Sequence, residues 1–160
     1  MRIVVALLAP ALLAAQSPDS LFRIGKFDDA GVPAEPRFSK NKTDADAAYW
    51  VGRALFSLGK ESDAGDWFEK CVKLQPNSAP YHFWLGQATG REAQKANKLR
   101  QPFLAKKVQH EFEKAVDLDP KYIDARDGLV GFYSQAPGFM GGSIEKAKQQ
   151  AGEISKLSPY

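Results

Sequence analysis

The feature that most constrains this fold is a spacing of small, apolar and proline residues that occurs three times. In each copy, steps of four and three separate three small or apolar side chains, and a proline follows five residues later. These steps place the side chains on one stripe of a helix, and the proline ends that helix because it lacks an amide hydrogen. Such self-similarity predicts a stack of repeated helical units. The sets are Ala64, Phe68, Cys71 and Pro76; Val108, Phe112, Ala115 and Pro120; and Ala147, Ala151, Ile154 and Pro159.

Apolar periodicity and capping residues predict six helices in three hairpins. Short connections make the neighbouring helices of a hairpin antiparallel. No stretch alternates with a period of two for long enough to predict a strand, so the fold class is all-α. The helices are predicted over 44–58, over 62–74, from Ser78 onward, over 102–118, from Tyr122 onward, and over 144–157 after Ser143 as the cap.

These units resemble the tetratricopeptide repeat (TPR), in which a large residue, Leu-Gly, an aromatic residue, Ala-x3-Phe and Pro follow one another over about 34 residues. The resemblance implies a right-handed α-α superhelix of hairpins over residues 44–77, 78–121 and 122–160. The second and third repeats carry insertions between their two helices. The large first position of the signature is occupied by Ala48, His82 and Arg126.

The N-terminal residues differ from the repeats in composition. One basic residue, Arg2, precedes an apolar run that ends in small residues, which is typical of a secretory signal. We therefore expect residues 1–16 to be removed and the protein to be periplasmic or secreted in a bacterium, with no membrane span in the mature chain; a buried N-terminal helix is the alternative. Residues 17–43 are predicted to be a degenerate half-repeat interrupted by Pro33 and Pro36, or else a linker.

Charge and cysteine content exclude several classes of function. The formal net charge of +3 is too small to indicate nucleic-acid binding. The single cysteine, Cys71, allows no intrachain disulfide, and its place on the apolar stripe predicts a buried thiol. His82 and His110 could approach across the second hairpin, but two histidines without further ligands do not predict a metal site. No nucleophile motif occurs, so we expect no enzyme activity and no cofactor.

The first helix of each hairpin lines the inner surface of a TPR stack, and its side chains outside the repeated core predict a partner-binding groove. Tyr49, Arg53 and Phe56 lie four and three residues apart and share a face. Packing of Tyr49 and Phe56 against the half-repeat is the alternative. TPR proteins that grip a C-terminal carboxylate use Lys and Asn at these positions, so that clamp is not predicted. The remaining groove candidates are Phe83, Gln87, Asp124 and Asp127.

Two inserted segments are further candidates. The insertion in the second hairpin is basic, with Glu92 as its only acid, and suits an acidic partner or anionic lipid headgroups, or else is a solvated face. The Gly-rich loop over 135–143 carries Phe139 and Met140, which we expect to pack against the second hairpin; partner contact and anion binding before the last helix are the alternatives. The basic residues are Arg91, Lys95, Lys98, Arg100, Lys106 and Lys107.

The sequence therefore predicts an exported scaffold that binds a peptide or protein segment in a concave groove. A self-associating structural module, or an accessory subunit of an envelope enzyme complex, are the alternatives. The last helix is apolar on one stripe only, so we expect the array to end there.

Overall fold

In the computed structural model, the backbone is described over residues 27–158 and the side chains over residues 34–158. Within these residues seven α-helices and one short 3-10 helix follow one another without a strand. The predicted signal segment and residues 17–26 of the predicted half-repeat lie outside the described residues. The helices are α1 (Phe27–Lys40), α2 (Ala45–Ser57), α3 (Glu61–Leu74), α4 (Ala79–Lys95), α5 (Gln101–Leu118), α6 (Ile123–Gln135), the 3-10 helix (Gly138–Met140) and α7 (Ile144–Leu157).

The helix ends follow the capping signals in the sequence. Asp44 accepts a hydrogen bond from the backbone N–H of Ala47 at 2.9 Å, and Ser143 accepts one from the N–H of Lys146 at 3.3 Å. Gly59 has a φ of 74°, a left-handed conformation that commonly follows the end of a helix. Glycine adopts it without the steric penalty that a Cβ atom would bring. Ser78 precedes α4 as predicted, but its side chain makes no capping hydrogen bond.

Helix α1 runs through Pro33 and Pro36, where the sequence predicted an interruption. Proline removes an amide donor but its ring holds φ close to the helical value, so a helix that is anchored by packing can continue across it. Ala34 is fully buried and Phe38 is 7% exposed. The Phe38 ring lies 4.9 Å from the Trp67 ring, centroid to centroid, in an edge-on arrangement.

The described residues form two compact units, which divide between Leu74 and Gln75. In the first unit, α2 packs against both α1 and α3. Phe68 is fully buried at the centre of the α2–α3 contact. A Cβ atom on Gly52 would lie 2.8 Å from Cε1 of Phe68, so the glycine is what lets the ring lie against the α2 backbone. The predicted burial of Cys71 is confirmed, and its thiol lies 3.6 Å from the carbonyl oxygen of Ala45.

In the second unit, α4 pairs with α5, α6 packs against α5, and α7 packs against α6. Phe112 is the central ring, and it faces two glycines: a Cβ atom would lie 2.7 Å from its ring on Gly86 and 3.0 Å on Gly128. The core around it consists of Phe83, Val108, Ala115, Ala125, Leu129, Tyr133 and Ala147.

The two insertions take different forms. The first lengthens both helices of the second hairpin, so that α4 has 17 residues and α5 has 18. The second forms the 3-10 helix and a tight turn before α7. In that turn Gly141 has a φ of 103°, and a Cβ atom on Gly142 would overlap the carbonyl oxygen of Ala136 at 1.7 Å. Glycine is therefore required at both positions.

Candidate functional site

The predicted groove residues of the first unit divide into two kinds. Tyr49 and Arg53 share a face of α2, because Nη1 of Arg53 donates a hydrogen bond to the Tyr49 hydroxyl at 2.6 Å. Both side chains are half-buried. Phe56, however, is only 6% exposed and does not offer its ring to a partner. The physical reason is that Phe56 lies one turn beyond Gly52, whose face is the one packed on Phe68.

The prediction that Phe83 lines a groove is also wrong. Its ring belongs to the core of the second unit and is 7% exposed. The ring centroid lies 6.0 Å from that of Phe112 and 5.2 Å from that of Tyr122. Because α4 contacts both α5 and α6, the face that carries Phe83 is covered.

Two other predicted groove residues line one cavity in the second unit. The cavity has a volume of about 520 Å³ and lies between α4, α5, α6 and the loop that follows α6. Gln87 lines it from α4 and Asp127 from α6. Asp124 is exposed on α6 but does not line the cavity. A volume of this size is within the range of sites that bind small molecules or short chain segments.

The cavity has an apolar floor and a polar rim. Ala105, Val108 and Phe112 of α5 form the floor. Arg91 and Asp127 supply one charge of each sign at the rim, and both are exposed. Side-chain amides, each of which is both a donor and an acceptor, complete the rim: Gln87, Gln94, Gln101 and Gln135.

The sequence carried a signal for this cavity that was missed. Gln87, Arg91 and Gln94 follow one another at steps of four and three, so they share a face of α4. Gly90 and Gly131 also line the cavity. A Cβ atom would meet nothing closer than 3.8 Å at Gly90 or 3.9 Å at Gly131, so part of the empty space exists because these positions lack side chains.

The loop after α6 contributes one of its two predicted residues to this site. Met140 lines the cavity next to residues of the second hairpin. Phe139 is 81% exposed, so the prediction that it packs against the second hairpin is wrong. In the 3-10 turn, the N–H of Met140 bonds the carbonyl of Pro137 at 2.8 Å. Neighbouring residues of so tight a turn point in different directions, which sends Phe139 outward.

The spacing of Arg91, Lys95 and Lys98, four and three residues apart, predicts that they share one helical face, and this prediction is wrong for Lys98. Helix α4 ends at Lys95, so Lys98 lies in the turn between α4 and α5 rather than one turn farther along a helix. Arg91 lines the cavity, and Nη2 of Arg100 bridges Oε1 of Glu92 at 2.8 Å. Lys106 and Lys107 belong to α5. All of these cations are exposed except Lys107, which is partly covered.

The two histidines lie in different surroundings, one buried and one exposed. His82 is 5% exposed; its Nδ1 lies 2.6 Å from Oε2 of Glu111, and its Nε2 lies 2.9 Å from the carbonyl oxygen of Pro76. His110 is exposed on α5. Among the described residues, no group of three His, Cys, Asp or Glu side chains could hold a metal ion. The expected absence of enzyme activity stays a prediction.

The buried thiol is unreactive, and the described helices are not of the membrane-spanning kind. Burial raises the pKa of the Cys71 thiol to about 12, so the thiolate that reacts with electrophiles is scarce at neutral pH. Over residues 27–158, no helix combines the length and the apolar character needed to cross a bilayer.

Comparison with known proteins identifies the repeat. The sequence profile of the tetratricopeptide repeat matches residues 45–78. No curated protein sequence matches the chain.

Solved structures resemble it at low identity, which bears on the fold alone. A TPR protein of Thermus thermophilus superposes with a TM-score of 0.74 at 20% identity, over 88% of this chain and 71% of that one. MamA of Desulfovibrio magneticus RS-1, from residue 41 to its end, gives a TM-score of 0.72 at 20% identity, over 92% and 75%. YrrB, described as a TPR protein with an unusual peptide-binding site, gives 0.66 at 18% identity, over 89% and 66%.

Proposed function

We propose that this chain, which carries a tetratricopeptide repeat at residues 45–78 and has the fold of TPR proteins, is a protein-interaction scaffold that binds an extended peptide segment in the cavity of its second unit. The observation that carries the proposal is the combination of an apolar floor with a rim of four glutamine amides in a cavity of about 520 Å³. The solved structure of YrrB supports it as a TPR protein described as having a peptide-binding site.

The mechanism follows from the chemistry of the lining. One apolar side chain of the peptide enters the cavity and is buried against Phe132 and Met140, the lining residues that remain partly exposed above the core. This burial supplies most of the affinity. The rim amides pair with the N–H and C=O groups of the peptide backbone, which would otherwise lose their hydrogen bonds to water. Arg91 and Asp127 set the direction of the peptide by charge.

The test is a substitution that fills the cavity without harming the helices. Peptides selected against the full chain from a random displayed library are titrated calorimetrically into Gly131→Leu. A Cβ atom at position 131 meets nothing closer than 3.9 Å and would point toward a cavity that Gly131 lines, and leucine forms helix better than glycine, so the variant should fold. We expect its affinity to fall roughly tenfold or more because the new side chain occupies the space of the peptide.

Gly152→Leu is the matched control, since Gly152 lies on α7 with nothing within 4 Å of a Cβ atom and does not line the cavity. Its affinity should equal that of the wild type. Selected peptides that bind Gly131→Leu as tightly as the wild type would contradict the proposed site. Measurement of the molar mass in solution tests whether the cavity instead binds a second copy of this chain. A wild-type dimer that Gly131→Leu converts to a monomer would identify the bound segment as part of another copy.

We also propose that the protein is exported by the segment over residues 1–16. The support is the order of one basic residue, an apolar run and small residues in the sequence. The intact mass of the chain recovered from a bacterial periplasmic fraction tests this. Removal of the first 16 residues is expected, and recovery of the whole chain from the cytoplasm would overturn it.

A further inference from the structure

Two large apolar side chains are exposed at the end of the hairpin formed by α4 and α5. Leu99 is 83% exposed in the turn, and Phe103 is 79% exposed in the first turn of α5. The turn is ordered by Asn97, whose Oδ1 accepts hydrogen bonds from the N–H groups of Leu99 and Arg100 at 3.2 and 3.1 Å. Neither apolar side chain lines the cavity of the second unit. We call this end of the hairpin, residues 95–107, the tip.

The tip is also the most cationic part of the second hairpin. Residues 95–107 carry five cations and no acid, and the preceding acid, Glu92, forms an ion pair with Arg100 at 2.8 Å. Lys95, Lys98 and Lys106 of the tip are also exposed. Helix α5 has no acidic residue in its first turn, so the positive end of its dipole adds to the same field.

We infer that the tip docks on the surface of an anionic lipid bilayer, where Leu99 and Phe103 enter the interface and the exposed lysines of the tip contact the headgroups. Charge complementarity points to this occupant, since exposed cations near an anionic leaflet are attracted over a Debye length. The shape of the tip favours lipid over protein. A projecting pair of side chains without a groove needs a deformable medium, whereas a protein partner would have to supply a matching pocket.

The charged and the apolar side chains of the tip can contact a bilayer at the same time. Lysine and arginine stems are apolar and can lie along the acyl boundary while their charged ends stay at the headgroup level. The 18-residue helix α5 spans about 27 Å. The tip can therefore meet a bilayer while Lys121, beyond the far end of α5, stays in water.

A fluorophore at the tip tests the inference directly. The full chain with Leu99→Cys is labelled with the environment-sensitive dye NBD; Cys71 is buried and will not compete. With vesicles that contain phosphatidylglycerol, the emission is expected to shift to the blue and increase. Lys121→Cys labelled in the same way is the control and is expected to show no shift. Because the readout is local, binding through the apolar residues 3–15 alone would leave the dye at position 99 in water and would overturn the proposal.

A second experiment uses charge substitutions to test whether the lysines of the tip contribute to vesicle binding. Lys98→Gln combined with Lys106→Gln should lower the partition coefficient onto phosphatidylglycerol vesicles about 30-fold at low ionic strength. The matched pair Lys121→Gln and Lys148→Gln removes the same charge from exposed positions outside the tip. Equal losses in the two pairs would overturn the inference, because they would indicate attraction by net charge.

The apolar pair and the partner class are tested on the same vesicles. Leu99→Ala combined with Phe103→Ala should lower the partition coefficient roughly tenfold or more, since the interface then gains little apolar area. Pure phosphatidylcholine vesicles should bind weakly. If the tip variants instead lose binding to an acidic polypeptide such as polyglutamate, and the wild type ignores vesicles, the occupant is an acidic protein and the inference is wrong.

Discussion

His82 and Arg126 occupy the same position in successive repeats, and each places a nitrogen 2.9 Å from the carbonyl oxygen of the proline six residues earlier. For His82 that proline is Pro76, and for Arg126 it is Pro120. The parallel extends to the second helix of each hairpin. Nδ1 of His82 meets Glu111 of α5 at 2.6 Å, and Nη1 of Arg126 donates to Gln150 of α7 at 2.7 Å.

These contacts explain a departure from the repeat signature. Glu111 and Gln150 each precede the second residue of the repeated apolar stripe, Phe112 and Ala151, so they are also equivalent positions. Where the TPR signature has a large residue, the second unit uses a polar side chain that bridges the preceding turn and the facing helix. A carbonyl group that ends one repeat is thereby satisfied by the next.

Removal of the carboxylate from this bridge should destabilise the fold. Glu111→Ala leaves Nδ1 of the buried His82 without its partner, and we expect a loss of about 1–3 kcal/mol in the free energy of unfolding. Urea denaturation followed by circular dichroism measures it. Gln150→Ala is the comparison, and it should cost less because Gln150 is half-exposed and water can replace its amide. Equal stability of Glu111→Ala and wild type would contradict the bridging role.

The close approach of Phe112 to α4 makes a second prediction. Gly86→Ala brings a methyl group to 2.7 Å from Cε1 of a ring that is only 5% exposed, so the ring or helix must shift. We expect a loss of about 1–3 kcal/mol, as in other overpacked cores. Gly152→Ala, with open space around it, should instead gain up to about 1 kcal/mol from helix propensity. Thermal unfolding measures the stability of both variants against the wild type. A Gly86→Ala protein as stable as Gly152→Ala would refute the packing argument.

The loop after α6 offers a comparison within a single turn. Gly142→Ala places a methyl group on the backbone carbonyl of Ala136, which cannot move independently, so the loop must change conformation. Gly138→Ala meets nothing within 4 Å and should keep it. We expect faster proteolysis of the loop over 136–143 in Gly142→Ala alone, measured by mass spectrometry of the limited digest. Identical digests of the two variants would argue against the described turn.

The buried thiol predicts a dependence of stability on alkaline pH. The pKa of Cys71 rises from 9.0 to about 12 in the folded protein because burial disfavours the thiolate. Above pH 9 the unfolded chain releases this proton and the folded chain keeps it. The stabilising contribution is therefore intact below pH 9 and is lost as the pH rises, at up to about 1.4 kcal/mol per pH unit until pH 12.

Urea titrations over this range compare the wild type with Cys71→Ala. The variant starts less stable because of the cavity, but its stability should fall less steeply with pH. Lysine and tyrosine titration is common to both proteins and cancels in the difference. Parallel curves, or rapid alkylation of Cys71 by iodoacetamide at about pH 8 under native conditions, would contradict the burial.

Much of the fold follows from local pattern. The steps of four and three, the prolines after them and the caps Asp44 and Ser143 are local signals, so the helix bounds could be predicted closely. The burial of Phe68 and Phe112 follows from the repeat itself. Local pattern was misleading at Pro33 and Pro36, because the packing of Ala34 and Phe38 outweighs the lost amide donors.

The candidate site depended on tertiary structure. Tyr49 and Arg53 share a face as their spacing predicts, because helix geometry is local. Phe56 and Phe83 have the same kind of spacing but are buried, since neighbouring helices decide which face is covered. The cavity rim of glutamines and the exposure of Phe139 arise where three helices and a loop converge.

The sequence by itself determined the repeated helical hairpins, because period, caps and prolines act through backbone hydrogen bonds within a few residues. Only the tertiary structure decided which side chains remain available to a partner, because exposure is a property of the surfaces that pack together and not of the helix that carries a residue.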